Sequence, residues 1–83
     1  MKLVYFASVR EAIGLSSEDR DIPYDARTVV DFVVWLRGQS QEHAIALGDL
    51  SRLRFALDQN MVTANALLGD GLELAIFPPV TGG

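Results

Sequence analysis

A short apolar, β-branched and aromatic run opens the chain, a partly alternating run stands near its end, and apolar residues recur with a period near 3.6 in the middle. Residues 2–7 read KLVYFA, β-branched and aromatic, which predicts a first strand. Side chains alternate across a strand, so Leu3 and Tyr5 share one face while Val4 and Phe6 take the other. Ser8 and Glu11 have capping-box spacing and Gly14 supplies a stop, which predicts a helix of one to two turns. Residues 18–24 alternate weakly and contain Pro23, which suits an edge strand. Val29, Phe32, Val33 and Leu36 fall at i, i+3, i+4 and i+7, the stripe of an amphipathic helix. Four valines there favour a strand by propensity, but Thr28 as cap, Asp31 three residues on and Gly38 as terminator decide for the helix.

Residues 42–49 predict a short helical turn with Ile45 and Leu47 inward, and residues 54–58 a third strand burying Phe55 and Leu57. A turn at Gln59-Asn60 leads to a short strand over 61–63. Residues 64–68 then form a connection with two leucines to bury. Asp70-Gly71 marks a turn before LELAIF, where Leu72, Leu74 and Ile76 alternate with Glu73, Ala75 and Phe77. The expected fold is α+β, a mixed sheet of about five strands with one main helix on one face. With the first and last strands as parallel central neighbours, that is the arrangement of a β-grasp, ubiquitin-like fold. Residues 1–77 would form that domain and residues 78–83 an extended tail.

Composition narrows the chemistry. With 83 residues, 49% hydrophobic and 22% charged, the chain has room for one core and the balance of a folded globule. A net charge of −4, with its arginines scattered, offers no footprint for nucleic acid. No stretch approaches the roughly 18 apolar residues of a membrane span, and the N-terminal run is too short for a signal peptide, so a soluble cytoplasmic protein is expected. Absence of cysteine excludes disulfides and thiol nucleophiles. His43, the one histidine, lies in SQEH with no second ligand at metal spacing, which reads as a solvated surface residue and gives no metal site. Neither a paired histidine nor a phosphate-cradling glycine loop is present, so a free-standing enzyme is not expected.

The remaining signal is the end of the chain, FPPVTGG. With VYFASVREAIG, LDQNMV and DGLELAIF, it resembles, over essentially the whole length, the ubiquitin-like sulfur carriers that form the small subunit of molybdopterin synthase. Leu72 and Asp58 are departures from that pattern in the turns. The resemblance implies that the Gly83 carboxylate is adenylated by a ubiquitin-activating-type adenylyltransferase and converted to a thiocarboxylate by a sulfur donor. Inserted into the large catalytic subunit, it would give its sulfur to a cyclic pyranopterin monophosphate precursor to build the dithiolene. It implies a heterotetramer of two small and two large subunits, ATP consumed by the activating partner, no cofactor bound by the carrier, and no catalysis by the carrier alone. Carried over by motif, Phe6, Met61 and Phe77 form an apolar docking patch. Arg10 is a charged rim contact, and Pro78, Pro79, Val80 and Thr81 lead to Gly82, whose lack of a side chain lets the tail thread a channel.

Physical chemistry agrees with that cycle. A terminal carboxylate, with a pKa of about 3.3–3.7, is an anion at neutral pH and resists nucleophiles until activated. Fixing six tail residues would cost roughly 6–12 kcal/mol if all were free, and Pro78-Pro79 lowers this by holding an extended conformation in advance. Burial of two Phe side chains contributes on the order of 3–6 kcal/mol in return. Three other readings stay open on the residues alone: a sibling carrier serving thiamine, cysteine or tRNA thiolation; a protein modifier conjugated through Gly83; and a passive interaction domain.

Overall fold

The computed structural model describes residues 1–79. Val80, Thr81, Gly82 and Gly83, where the reactive terminus was expected, lie outside the described residues. The elements run β1 (Lys2–Tyr5), α1 (Ala7–Ile13), β2 (Ser17–Asp19), α2 (Val29–Arg37), α3 (Gln41–Ala46), a 3₁₀ turn (Leu50–Arg52), β3 (Arg54–Leu57), β4 (Asn60–Val62) and β5 (Glu73–Phe77). The strands form one mixed sheet in the order β2-β1-β5-β3-β4. The two terminal strands, β1 and β5, are parallel neighbours, with Leu3 opposite Leu74 and Tyr5 opposite Ile76; the other pairings are antiparallel. This is the β-grasp, ubiquitin-like architecture.

Helix α2 covers the inner face of the sheet because its stripe does. Val29, Phe32, Val33 and Leu36 are all fully buried, and they join Leu3, Tyr5, Phe55, Leu74 and Ile76 in one core. The start of the helix is fixed by its sequence. Thr28 Oγ1 accepts from the Asp31 amide (3.1 Å), and the Asp31 carboxylate accepts from the Thr28 amide (3.1 Å), a reciprocal cap that offsets two orphan donors. Trp35 sits at the core margin, stacked on Phe32 with ring centroids 5.8 Å apart. Burial on this scale overrides the strand propensity of four valines.

Several expectations are corrected. Helix α1 starts two residues early, since its cap is Phe6, whose carbonyl already accepts from the Val9 and Arg10 amides (3.1 and 3.3 Å); this puts Ser8 inside the helix, where it cannot cap with Glu11. Ala7 enters at φ 51°, which costs an L residue about 1–2 kcal/mol and turns the chain so that Phe6 stays outside the core. Gly14, at φ 87°, ends the helix as expected. Strand β2 stops at Asp19, four residues before Pro23, which takes no place in the ladder. The hairpin turn is Asp58-Gln59, not Gln59-Asn60. Both residues have positive φ (49° and 70°), as a two-residue turn of matching twist requires. The Asp58 carboxylate then accepts from the amides of Leu72 and Glu73 (2.9 and 3.0 Å) and pins the start of β5. Gly71 stands where a Cβ would meet a Leu57 methyl at 2.7 Å. Leu67 and Ile45 point outward, at 71% and 70% exposure, and Leu68 and Leu47 fill the core beside them.

His43 is not on the surface. It is buried under α3, and its Nε2–H donates to Glu18 Oε2 at 2.7 Å while Nδ1 accepts from the Ser40 hydroxyl at 2.6 Å, the tautomer that satisfies every partner. Glu18 Oε2 also accepts from the Tyr5 hydroxyl (2.7 Å), and Oε1 accepts from Arg20 Nε (2.8 Å). Edge strand β2, central strand β1 and helix α3 are thereby tied through one carboxylate.

Candidate functional site

The chain leaves the fold at the end of β5, and the side chains around that point come from three elements. Phe77 ends β5 and Phe6 follows β1, its parallel neighbour. Their rings meet edge to face with centroids 6.4 Å apart. Phe6 remains 46% exposed.

Strand register extends this pair into a face. Opposed residues share a side of the sheet. Val4, Ala75, Ala56 and Met61 lie in one row across β1, β5, β3 and β4, and Arg54 opposes Phe77 in the adjacent row. All lie on the side away from α2, because their neighbours Leu3, Leu74, Phe55 and Ile76 point into the core. Met61, on edge strand β4, is 65% exposed. The structure therefore brings Phe6, Met61 and Phe77 onto one outer face. Sequence reasoning missed the small residues between them, Ala56 and Ala75. Their outward positions follow from the same alternation, and their small side chains keep the platform flat.

Arg10 lies one helical turn beyond Phe6 on α1, exposed. Pro78 and Pro79 continue from β5, half-buried. Val80, Thr81, Gly82 and Gly83 lie outside the described residues.

The strongest polar cluster, around Glu18, is on the other side of the sheet. Burial works to raise the Glu18 carboxyl, but the hydrogen bonds from Tyr5, His43 and Arg20 outweigh it and leave the group below the usual carboxylate range. Burial, then the bond to Glu18, pushes the Tyr5 phenol well above its ordinary value. Among the described residues no buried side-chain polar atom lacks a partner. A cluster so fully committed holds elements together and has no lone pair or proton poised for a substrate. No group of three or more His, Cys, Asp or Glu among the described residues could hold a metal ion, and no described helix is long and apolar enough to cross a membrane. What the site offers is a flat apolar platform beside an emerging tail, an arrangement for gripping another protein.

Comparison with known proteins gives the same picture over the whole length. Residues 3–83 match the ThiS family. The chain is 39% identical over 83 residues to the molybdopterin synthase sulfur carrier subunit of Escherichia coli, covering 100% of this chain and 99% of that one. It is 28% identical to the Haemophilus influenzae protein of the same name, with the same coverage. Among solved structures, SAMP1 from Haloferax volcanii superimposes with a TM-score of 0.73 at 30% identity, over 100% of this chain and 98% of the other. A Pyrococcus furiosus protein described as a molybdopterin converting factor subunit 1 gives 0.72 at 24% identity, over 95% of both, a likeness of fold.

Proposed function

The chain belongs to the ThiS family, and from that premise we propose that it is the sulfur carrier subunit of a molybdopterin synthase. Its reacting group is the Gly83 carboxylate. A carboxylate oxygen attacks the α-phosphorus of ATP in a ubiquitin-activating-type partner and pyrophosphate leaves; sulfide released by a sulfur donor then attacks the acyl carbon and expels AMP, leaving a thiocarboxylate. Inside the large subunit the thiocarboxylate sulfur bonds to the cyclic pyranopterin precursor, water then cleaves the acyl–sulfur bond and restores the Gly83 carboxylate, and two small subunits with two large ones make the working assembly. The acid, base and nucleotide-binding groups belong to the partners. The carrier contributes its terminus and a surface to hold it by.

The observation that carries this reading is the placement of Phe6, Phe77 and Met61 on one outer face at the root of the tail. Covering their exposed parts contributes on the order of 3–5 kcal/mol, enough to hold a body in place while its terminus reacts. The test is intact-mass analysis after incubation with activating enzyme, ATP and a sulfur source, followed by addition of the large subunit and precursor. The expected results are a gain equal to exchanging one oxygen for sulfur, and its loss as dithiolene forms. Unchanged mass, or full activity after deletion of Gly83, would defeat the proposal. Ladders on other proteins would point to a modifier, and preference for a thiazole synthase to a sibling carrier.

A further inference from the structure

Where β5 ends there is also a cleft, on the opposite side of the departing chain from Phe6 and Phe77. It measures about 440 Å³ and opens between α1, α3 and the 3₁₀ turn. Val9, Ala12 and Leu53 contribute apolar walls, Ile45 stands at its edge 70% exposed, and Pro78-Pro79 form one side. An exposed isoleucine on a six-residue helix does nothing for the core, which Leu47 already fills.

Charge distinguishes this end of the molecule from the rest. The chain carries −4 overall, yet three of its arginines surround the exit. Arg52 lines the cleft, Arg54 opposes Phe77, and Arg10 stands one turn beyond Phe6. Arg54 donates to the carbonyls of Leu53 and Ser51 (2.8 and 3.4 Å), which folds it toward the 3₁₀ turn and Arg52. Neither Arg10 nor Arg52 has an ion-pair partner among the described residues. The nearby acids are Glu11 on α1 and Asp49 in the cleft wall. Asp49 Oδ1 accepts from the Ser51 hydroxyl and amide (2.6 and 3.1 Å), and its carboxylate, attracted by Arg52 without pairing with it, offsets part of the positive charge here.

The geometry points to a second docking surface: the cleft takes an apolar side chain of the protein that receives the tail, and Arg10, Arg52 and Arg54 pair with carboxylates on the rim of its channel. This rests on the carrier reading above, which supplies a protein that receives the tail. Chain length selects a protein rim over a nucleotide phosphate as the anion. Four residues separate Pro79 from the terminal carboxyl, a span of up to about 14 Å, so a phosphate joined to an extended terminus lies beyond the reach of an arginine at its root. A cationic end on an acidic body also orients the approach, tail first.

The experiment is calorimetric binding to the large synthase subunit at low and high salt, for wild type, Arg52→Glu, Arg27→Glu and Ile45→Ser, each shown by thermal melting to be folded. Arg27 lies beside Leu68 and Gly69, near the opposite end of β5, so its reversal makes the same change in net charge away from the exit. Arg52→Glu is expected to weaken binding about tenfold at low salt and to flatten its salt dependence, against about twofold or less for Arg27→Glu. Ile45→Ser should weaken it about threefold at either salt concentration. Equal losses for the two arginine variants, or no loss for Arg52→Glu, would overturn the cationic surface and leave the carrier reading standing. Failure of the wild type to bind would overturn both.

Discussion

Replacing Glu18 with alanine removes the acceptor that two buried donors share. The Tyr5 hydroxyl and His43 Nε2 each lie 2.7 Å from Glu18 Oε2, and Tyr5 and His43 are only 1% and 4% exposed, so water does not readily replace the carboxylate. Each orphaned donor costs about 1–3 kcal/mol. Arg20, 31% exposed in its side chain, rehydrates and adds little. The sum, about 2–6 kcal/mol, compares with a total stability of about 4–12 kcal/mol for a domain of this length. Tyr5→Phe in the wild type should cost about 1 kcal/mol, the net worth of one hydrogen bond. In the Glu18→Ala background the same change deletes an orphan, and it should stabilise by about 1–2 kcal/mol. Urea unfolding followed by the fluorescence of Trp35, the single tryptophan, measures all four proteins, with a constant denaturant slope as the check on two-state behaviour. Additivity of the two substitutions within about 0.5 kcal/mol would refute the shared-acceptor argument.

Two further outcomes are expected. The Glu18 carboxyl is held below its ordinary range in the folded protein, so its contribution is complete above the unfolded value of about pH 4.3 and fades as the pH falls through the lower folded value. Urea midpoints should decline over that acid window, and less steeply in Glu18→Gln; because Asp31 and Asp49 are lowered too, part of the slope should persist in the variant. Equal slopes in the two proteins would contradict the assignment. Met61→Asp, on the exposed edge of the outer face, should change folding stability by no more than about 1 kcal/mol and weaken binding to the large subunit by about 2 kcal/mol. Unchanged affinity would remove Met61 from the docking face.

Periodicity settled what is repetitive in this fold. The stripe Val29, Phe32, Val33 and Leu36 declared both a helix and its buried side, and the alternation at each end of the chain assigned Leu3, Tyr5, Leu74 and Ile76 to the core and Phe6 and Phe77 to the other face. A short-range pattern could do this because burial imposes the same constraint at every repeat. His43 escaped it. In the sequence it is a histidine among polar residues, and its burial depends on Glu18, 25 positions away, whose role in turn depends on Tyr5. Ile45 was misread for a related reason: on a two-turn helix the inward direction is set by what the helix packs against, and its own few residues do not define a stripe.

At the tail the division is similar. FPPVTGG, with the other segments that carry the family resemblance, led to the expectation that Gly83 is the reacting end, an inference that needs only consecutive residues. The resemblance had already grouped Met61 with Phe6 and Phe77, but only the folded chain could set Ala56 and Ala75 between them by sheet register, or gather Arg10, Arg52 and Arg54 around the exit by packing α1 and the 3₁₀ turn beside the end of β5. Local order is written into neighbouring residues, whereas a surface is assembled from distant ones after the backbone hydrogen bonds have fixed which strand lies beside which.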